Sequence, residues 1–433
     1  MTRDLKVDLS ERLFARAVDV IPGGSQTMSK RPQGNAPGAF PIYVERAKGC
    51  RVWDVDGNEY IDYVMALGPI VLGYCYPAVD EAIAAQLRKG IIYGLLHPLE
   101  ILAAESVRET VPCAEMVRFL KGGAEVTTAA ARIARAYTGR ELILNCGYRG
   151  WADQWTAQVT TPAARGVPEC LRSTIVSFPY NDLPTLDRLL CEHAGEVALV
   201  FLDPVSAQEP DPDYLPGVRR LCDEHGVLLA FDEIVTGFRL APGGAQEHFG
   251  VTPDLACFAK GIANGMPLGA VCGRREVMQV AEELLISVTY GGECLSLAAV
   301  CACLQEYRDQ PVHGHLWAQG EKLMEAFAEA GRRHGLPFAC TGLPPMSCPT
   351  FSFPDGQLNA DVWSLFLQET ARRGVLIRRG GLLFVTYSHA DSEVEATFEA
   401  VDESLATIAE ALRTDTLSEK LKVREVREGF RRF

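Results

Sequence analysis

The chain has 433 residues, of which 48% are hydrophobic and 23% are charged, and its formal net charge at pH 7 is −14. This length and composition are typical of a folded globular protein with a large apolar core, and they exclude a largely disordered chain. The acidic balance argues against nucleic acid and anionic membrane as partners, because both require a basic surface.

The chain shows no targeting, membrane or metal signal. The N-terminal stretch MTRDLKVDLSERLF lacks an apolar core of signal-peptide length, and no run reaches about 18 uninterrupted apolar residues. We therefore predict a cytoplasmic protein with no membrane partner. The 14 cysteines include no C-x-x-C pair and mostly lie in apolar runs, and the 8 histidines lack clustered partners. We expect reduced thiols and no metal site.

Residues 1–66 are predicted to form an N-terminal arm. An amphipathic helix in SERLFARAVDVI is followed by a Gly- and Pro-rich loop from Pro22 to Phe40, and then by a hairpin-like stretch with a Gly-Asn turn. A loop of this length inside a compact fold is often either functional or disordered, and the sequence leaves both alternatives open.

Residues 67–308 are predicted to form a large α/β domain. Helix-like segments alternate there with six short apolar runs: MVRFL, ELILNC, ALVFLD, VLLAFD, LACFA and AVCG. This alternation is typical of a mostly parallel sheet with helices on both faces. Residues 309–433 contain a long helix, strand-like TFSF and LLFVTY, and an amphipathic helix from Asp391 to Leu412, which together predict a small α/β C-terminal domain.

Two polar residues close apolar runs of the predicted sheet. Asp232 follows VLLAF, and Lys260 follows LACFA. Ligands bind at the carboxyl ends of strands in open α/β sheets, so both side chains should reach the same edge. Pyridoxal phosphate (PLP) requires such a pair, because an amine forms a Schiff base with its aldehyde and a carboxylate keeps its pyridine nitrogen protonated. Alone, the pair is weak evidence, since either residue occurs at such places by chance.

The sequence around this pair resembles the class III PLP-dependent aminotransferases, and within them the glutamate-1-semialdehyde 2,1-aminomutase branch. The matching segments are FDEIVTGFR, ACFAKGIANGMPLGAV, VRFLKGGAEVTTAAARIARAYTGRELIL, GYRGW and TYGGECLSLAA. The similarity extends from about Ile21 to the C-terminal region. It implies a fold type I transferase, similar to aspartate aminotransferase, with PLP as its cofactor.

The resemblance implies roles for four residues around the cofactor ring. Lys260 would hold the cofactor and carry a proton between the substrate carbon and the cofactor. Asp232 would contact the pyridine nitrogen. Tyr148 would stack on one face of the ring, with Val235 on the other face, and so fix the plane of the ring.

The resemblance also implies a phosphate site and a dimer. Gly123 and Ala124, at the start of a helix, would bind the cofactor phosphate through backbone N–H groups. The family usually has serine or threonine at Ala124 and histidine at Arg149, so two polar groups differ here. Thr289 matches a threonine that reaches the phosphate of the neighbouring subunit, which implies a homodimer with composite sites. Asp203 we interpret as a solvated loop acid.

Several functions share this constellation. They are amino transfer from an amino donor to a ketone or aldehyde, the intramolecular amino shift of the aminomutase, and racemisation or epimerisation. A non-catalytic family member is a further alternative, which the retained Lys260 and Asp232 disfavour. All but the last require both residues.

The loop IPGGSQTMSKRP favours the first of these reactions. The aminomutase has an arginine there that binds the substrate carboxylate, whereas this chain has Lys30 at that place with Arg31 beside it. Lysine cannot replace arginine in a bidentate hydrogen-bonded pair with a carboxylate. Lys30, Arg31 and Arg149 are the candidate substrate residues. The preference for arginine and alanine resembles high-GC bacteria, in which such relatives often serve specialised pathways. We therefore predict an aminotransferase whose acceptor is a sugar-like or other secondary-metabolite carbonyl.

Overall fold

The structure is a computed structural model that describes residues 5–159, 162–205 and 207–422. Its helices are α1 (Asp8–Val20), α2 (Pro77–Leu87), α3 (Pro98–Thr110), α4 (Gly123–Thr138), α5 (Asp153–Thr156), α6 (Leu183–Glu192), α7 (Tyr214–His225), α8 (Ala245–Phe249), α9 (Arg275–Met278), α10 (Cys294–Asp309), α11 (Val312–His334), α12 (Gly356–Arg372), α13 (Asp391–Arg413) and α14 (Leu417–Lys420). Its strands are β1 (Val44–Lys48), β2 (Arg51–Asp54), β3 (Glu59–Asp62), β4 (Met116–Leu120), β5 (Leu142–Cys146), β6 (Ile175–Ser177), β7 (Val197–Leu202), β8 (Leu228–Asp232), β9 (Leu255–Phe258), β10 (Gly269–Gly273), β11 (Phe338–Thr341), β12 (Cys348–Phe351) and β13 (Val375–Leu376). In the part of the chain that is described, no helix combines the length and apolar character that a membrane crossing requires.

The described residues form two compact units. The terminal unit comprises those of Met1–Leu67, Val71–Tyr76 and Gly314–Arg432. It contains a four-stranded sheet in the order β1-β2-β3-β13 and a separate pair β11-β12. The first three strands are antiparallel, and β13 joins β3 in parallel. Gly57 has φ 87° in the turn between β2 and β3, a backbone conformation that favours glycine.

Most sequence predictions for the terminal unit are confirmed. The predicted N-terminal helix is α1, the hairpin-like stretch forms β1 to β3, and the closing helix is α13. The strand predicted in LLFVTY is wrong, although Leu383 and Val385 are buried in extended chain. Their N–H groups donate to the carbonyls of Ser347 and Pro345. Pro345 belongs to the short 3-10 turn Pro344–Met346, so the partner segment is not extended along its length and no strand pair forms there.

The central unit comprises Gly68–Ile70 and the described residues of Pro77–His313. Its seven-stranded sheet has the order β4-β10-β9-β8-β7-β5-β6. Strand β10 is antiparallel to both of its neighbours, and the other pairs are parallel. Strands β7 to β10 are buried along their whole length. This burial explains why they appear in the sequence as continuous apolar runs.

Helices cover both faces of this sheet, as predicted. On one face, α4 packs through buried alanines and Ile133, and its small side chains allow close approach to the strands. On the other face, α6 and α7 pack through leucine and valine side chains. The six predicted runs correspond to β4, β5 and β7 to β10, whereas the three-residue β6 was missed. The division at residues 66 and 308 stays a prediction.

Candidate active site

The central unit places Asp232 and Lys260 at the same sheet edge. Asp232 is the last residue of β8 and is paired with Cys257 of the parallel strand β9. Lys260 follows β9 after Ala259 and begins a 3-10 turn. Its φ is 45°, in the left-handed region that a residue with a side chain seldom adopts, and such strain is common at functional sites. The pair therefore lies where open α/β sheets bind ligands.

The Asp232 carboxylate is buried and fixed through both of its oxygens. Its side chain is 5% exposed. Oδ1 accepts the N–H of Ile234 at 3.0 Å, and Oδ2 accepts Nη1 of Arg149 at 2.9 Å. Burial raises the pKa of the Asp232 carboxyl, and the neighbouring Arg149 guanidinium opposes that rise. Arg149 and the N–H of Ile234 thus both contact this carboxylate, and Arg149 favours its ionised form.

Arg149 is a fully buried cation between two carboxylates. Its side chain is 0% exposed, and Nη1 lies 2.6 Å from Asp203 Oδ1 as well as within reach of Asp232. Burial disfavours the charge, but Asp203 and Asp232 hold the pKa of the Arg149 guanidinium above its usual value. The interpretation of Asp203 as a solvated loop acid is therefore wrong. Arg149 was predicted as a substrate residue, and the structure places its guanidinium against Asp232.

The loop GYRGW packs on the first turn of α4. A Cβ added to Gly150 would lie 2.6 Å from Cβ of Ala124, and the Thr127 hydroxyl donates to the Arg149 carbonyl at 2.7 Å. Tyr148, in the same loop, is 37% exposed. The structure thus brings the predicted ring-stacking residue close to the predicted phosphate site.

The start of α4 offers backbone donors to an anion. The N–H groups of Lys121 and Gly122 both donate to Oε2 of Glu125, at 2.8 and 3.0 Å. The next two N–H groups, those of Gly123 and Ala124, belong to the first helical turn, where helix geometry supplies no carbonyl acceptor. They therefore suit a phosphate. Ala124 supplies no hydroxyl to this site.

The Ile234 side chain packs against Gly123, because a Cβ on that glycine would come within 2.9 Å of Cδ1 of Ile234. The turn after β8 and the phosphate loop consequently approach each other closely. The same turn places Val235, which is partly buried, three positions after Asp232. The two segments together offer PLP a carboxylate, from Asp232, and helix N–H groups, from the start of α4.

Glu233 holds the turn that contains Val235. Its buried carboxylate accepts the Thr236 hydroxyl at 2.6 Å and the N–H groups of Ala245 and Gln246 at 2.7 and 3.0 Å. Burial raises the pKa of the Glu233 carboxyl, and these donors oppose the rise. Glu233 therefore has a structural role, in contrast to its neighbour Asp232.

The remaining predicted residues belong to other segments of the chain. Thr289 is exposed in a turn before α10. Lys30 and Arg31 belong to the terminal unit, where Lys30 ends a short 3-10 turn. The guanidinium of Arg31 lies beside Gly23, because a Cβ on that glycine would be 2.7 Å from Nη2 of Arg31. A substrate role for Lys30 and Arg31 stays a prediction.

Sequence reasoning missed an ion pair beside the phosphate loop. Lys121 Nζ lies 3.0 Å from Oε2 of Glu293 and 3.1 Å from the Ser296 hydroxyl. Glu293 also accepts the N–H groups of Leu295 and Ser296, which caps α10. The pair ties the end of β4 to the start of α10. No local sequence pattern predicts this ion pair, because the two residues are 172 positions apart.

Comparisons with known proteins agree with this geometry. The model of the family Aminotransferase class-III matches residues 33–401. The chain is 36% identical to a glutamate-1-semialdehyde 2,1-aminomutase of Syntrophobacter fumaroxidans, with 95% of this chain and 99% of that protein covered. It is 35% identical to a 3-aminobutyryl-CoA aminotransferase of Cloacimonas acidaminovorans, with 95% and 100% covered. The FumI protein of Sphingopyxis sp. MTA144, solved in its PLP internal aldimine form, has a TM-score of 0.88 and 29% identity, with 94% of this chain and 97% of that chain covered.

Proposed function

Because the chain belongs to the class III aminotransferases, we propose that it uses Lys260 and Asp232 to move an amino group from an amine donor to a ketone or aldehyde. The predicted family, the fold type I transferase fold and PLP as the cofactor are confirmed. The observation that carries the proposal is the placement of this amine and this buried carboxylate at the ends of adjacent parallel strands. The predicted cytoplasmic location remains a prediction.

Lys260 and Asp232 perform the two essential tasks in this proposal. Bound PLP supplies an aldehyde for amines and a ring that withdraws electrons from the substrate carbon. The ε-amine of Lys260 would hold the cofactor, and its Nζ would take up and return the substrate proton. The ionised Asp232 carboxylate would accept the N–H of the pyridine ring. Its burial strengthens this contact, because the local dielectric is low.

The surrounding residues orient the cofactor. The N–H groups of Gly123 and Ala124 would bind the phosphate, because the start of α4 favours an anion. Tyr148 and Val235 would face the two sides of the ring, so that only one substrate bond aligns with the ring electrons. Together these contacts fix the geometry on which the reaction depends.

We propose a homodimer with composite sites. Leu95 and Leu96 are 87% and 88% exposed, and Ile101 is 62% exposed, which is an unusual apolar surface for a monomer. This surface adjoins the turn that carries Thr289, because Gly292 lies against Glu100 and any Cβ on it would be 3.0 Å from that carboxyl. A second copy that covers the apolar surface would therefore bring Thr289 to an interface.

The second candidate is the intramolecular amino shift of glutamate-1-semialdehyde, which the 36% identity to an aminomutase supports. Amino transfer is favoured by the departures at Ala124 and Arg149 and by Lys30 in place of the arginine expected in the aminomutase loop. We propose a sugar-like or other secondary-metabolite carbonyl as the acceptor. Racemisation is the third alternative, and it would need no acceptor.

The test is a donor and acceptor screen with the PLP-loaded enzyme. The proposal predicts that a ketone or aldehyde is aminated only when an amine donor is present, with one donor consumed for each product. Glutamate-1-semialdehyde supplied without a donor should not be converted to 5-aminolevulinate. Efficient conversion under these conditions would establish the aminomutase instead. Inversion of a single amine enantiomer without an acceptor would establish a racemase.

A further inference from the structure

Arg149 is a buried cation whose charge is balanced by two carboxylates. A guanidinium stays protonated in proteins, and an unpaired buried charge is very unfavourable. The Arg149 side chain is 0% exposed, whereas that of Asp203 is 28% exposed and that of Asp232 is 5% exposed. The three side chains together carry one positive and two negative charges. Their net charge of −1 would be neutralised by a protonated pyridine nitrogen held beside Asp232.

The guanidinium also links three neighbouring strand ends. Nη1 contacts Asp203, just after β7, and Asp232, at the end of β8. Nη2 donates to the carbonyls of Cys146, at the end of β5, and of Phe201, within β7. The Arg149 carbon Cζ lies 4.7 Å from the centre of the Phe201 ring, so a cation–π contact supports the same position. These contacts leave Arg149 little freedom to move.

We propose that Arg149 is a positioning residue that keeps Asp232 ionised and oriented for the pyridine nitrogen, with Asp203 balancing its charge. This inference rests on the proposed PLP-dependent function and assigns Arg149 to the cofactor rather than to the substrate. A charged donor at 2.9 Å stabilises the carboxylate over the carboxylic acid. The N–H of Ile234 on the other oxygen fixes the plane of the carboxylate.

Arginine performs this task differently from the histidine that the resemblance places at this position. A histidine loses its charge near neutral pH, whereas an arginine does not. Burial raises the pKa of Asp232, so without a permanent cation this carboxyl would take up a proton as the pH falls. A protonated Asp232 is no longer the anion that pairs with a protonated ring. Arg149 therefore extends the working range of Asp232 toward acid.

The experiment measures the dissociation constant of PLP at pH 6 and pH 8.5, in a Lys260→Ala background where binding is reversible. Adding Arg149→Met should weaken binding much more at pH 6 than at pH 8.5, by about tenfold for each unit by which the Asp232 pKa exceeds the pH. Adding Arg149→His should restore binding at pH 6, because the imidazole is then charged.

Asp203→Asn is the matched control, because it breaks the same Arg149–Asp203 ion pair from the other side. It removes a negative charge instead of the cation, so it should not introduce a loss of PLP affinity at pH 6. An equal loss at both pH values in Arg149→Met, or the same loss at pH 6 in Asp203→Asn, would overturn the proposal and leave Arg149 a purely structural role.

Two further outcomes distinguish a failure of the proposed role of Arg149 from a failure of the proposed PLP site. If Arg149→Met does not fold, Arg149→His and Asp203→Asn decide the question, and a loss at pH 6 in either would overturn the proposal. If the Lys260→Ala protein with Arg149 intact does not bind PLP at either pH, the proposed cofactor site itself has failed. Binding with an unchanged pH profile in every variant overturns only the role of Arg149.

Discussion

Replacing Ala124 with serine should tighten the binding of PLP. Ala124 is the second residue of α4, next to the N–H groups that suit a phosphate, and its side chain is partly exposed. A serine hydroxyl would add one donor to a charged acceptor. Hydrogen bonds contribute about 0.5 to 1.5 kcal/mol, and those to charged groups about 1.5 to 3 kcal/mol. Ordering the hydroxyl costs part of this free energy, so we expect PLP binding to become more favourable by about 1 to 2 kcal/mol.

This gain corresponds to a dissociation constant for PLP that is about five- to thirtyfold lower. Equilibrium dialysis in the Lys260→Ala background measures it without the covalent bond. Ala124→Gly is the matched control, because it changes the same position without adding a hydroxyl. The side chain at Ala124 also borders Gly150, so the circular dichroism of each variant should be compared with that of the parent protein. Unchanged affinity in a folded Ala124→Ser protein, or equal tightening in Ala124→Gly, would refute the assignment of the phosphate to this turn.

Three further predictions follow from the same structure. Asp232→Asn should fold but lower kcat by orders of magnitude, since an uncharged partner does not stabilise a protonated ring; a kcat near that of the parent enzyme would move this role elsewhere. Burial lowers the pKa of His313 to about 4. The buried neutral imidazole therefore contributes fully to the free energy of unfolding above about pH 6.5. That contribution falls by about 1.4 kcal/mol per pH unit as the pH decreases toward 4. Denaturant unfolding of His313→Gln should therefore show a weaker loss of stability in acid, and an identical pH profile would argue against this burial effect. Mixing inactive Lys260→Ala with Thr289→Ala should yield hybrid dimers with one intact composite site, and a fully active monomer by light scattering would contradict that arrangement.

Sequence patterns predicted the parts of the fold that depend on continuous burial. Strands β7 to β10 are buried on both sides, so they appear as uninterrupted apolar runs whose ends place Asp232 and Lys260. The strand β6 spans only Ile175–Ser177, which is too short for a pattern. LLFVTY has the composition of a strand, but the segment that accepts its N–H groups is in part the 3-10 turn Pro344–Met346, so no continuous ladder forms.

The electrostatics of the site could not be predicted in the same way. Arg149 lies 54 positions before Asp203 and 83 before Asp232, and only the fold brings the three together. A lone arginine in a polar loop is usually solvated, whereas this one is buried because two carboxylates at the ends of neighbouring strands compensate its charge. The sequence shows that arginine replaces the histidine usual in the family at position 149. Only the structure shows why this matters, because it places carboxylates from neighbouring strand ends beside the guanidinium.

The central claim is that Lys260 holds PLP and carries the reaction. The most direct measurement is borohydride reduction of the PLP-loaded enzyme, which fixes the cofactor on its lysine, followed by mass spectrometry of the peptides. We predict the added mass on the peptide that contains Lys260, together with loss of activity, and neither a labelled peptide nor turnover in Lys260→Ala. Labelling of a different lysine in an enzyme that loses its activity on reduction would contradict the account.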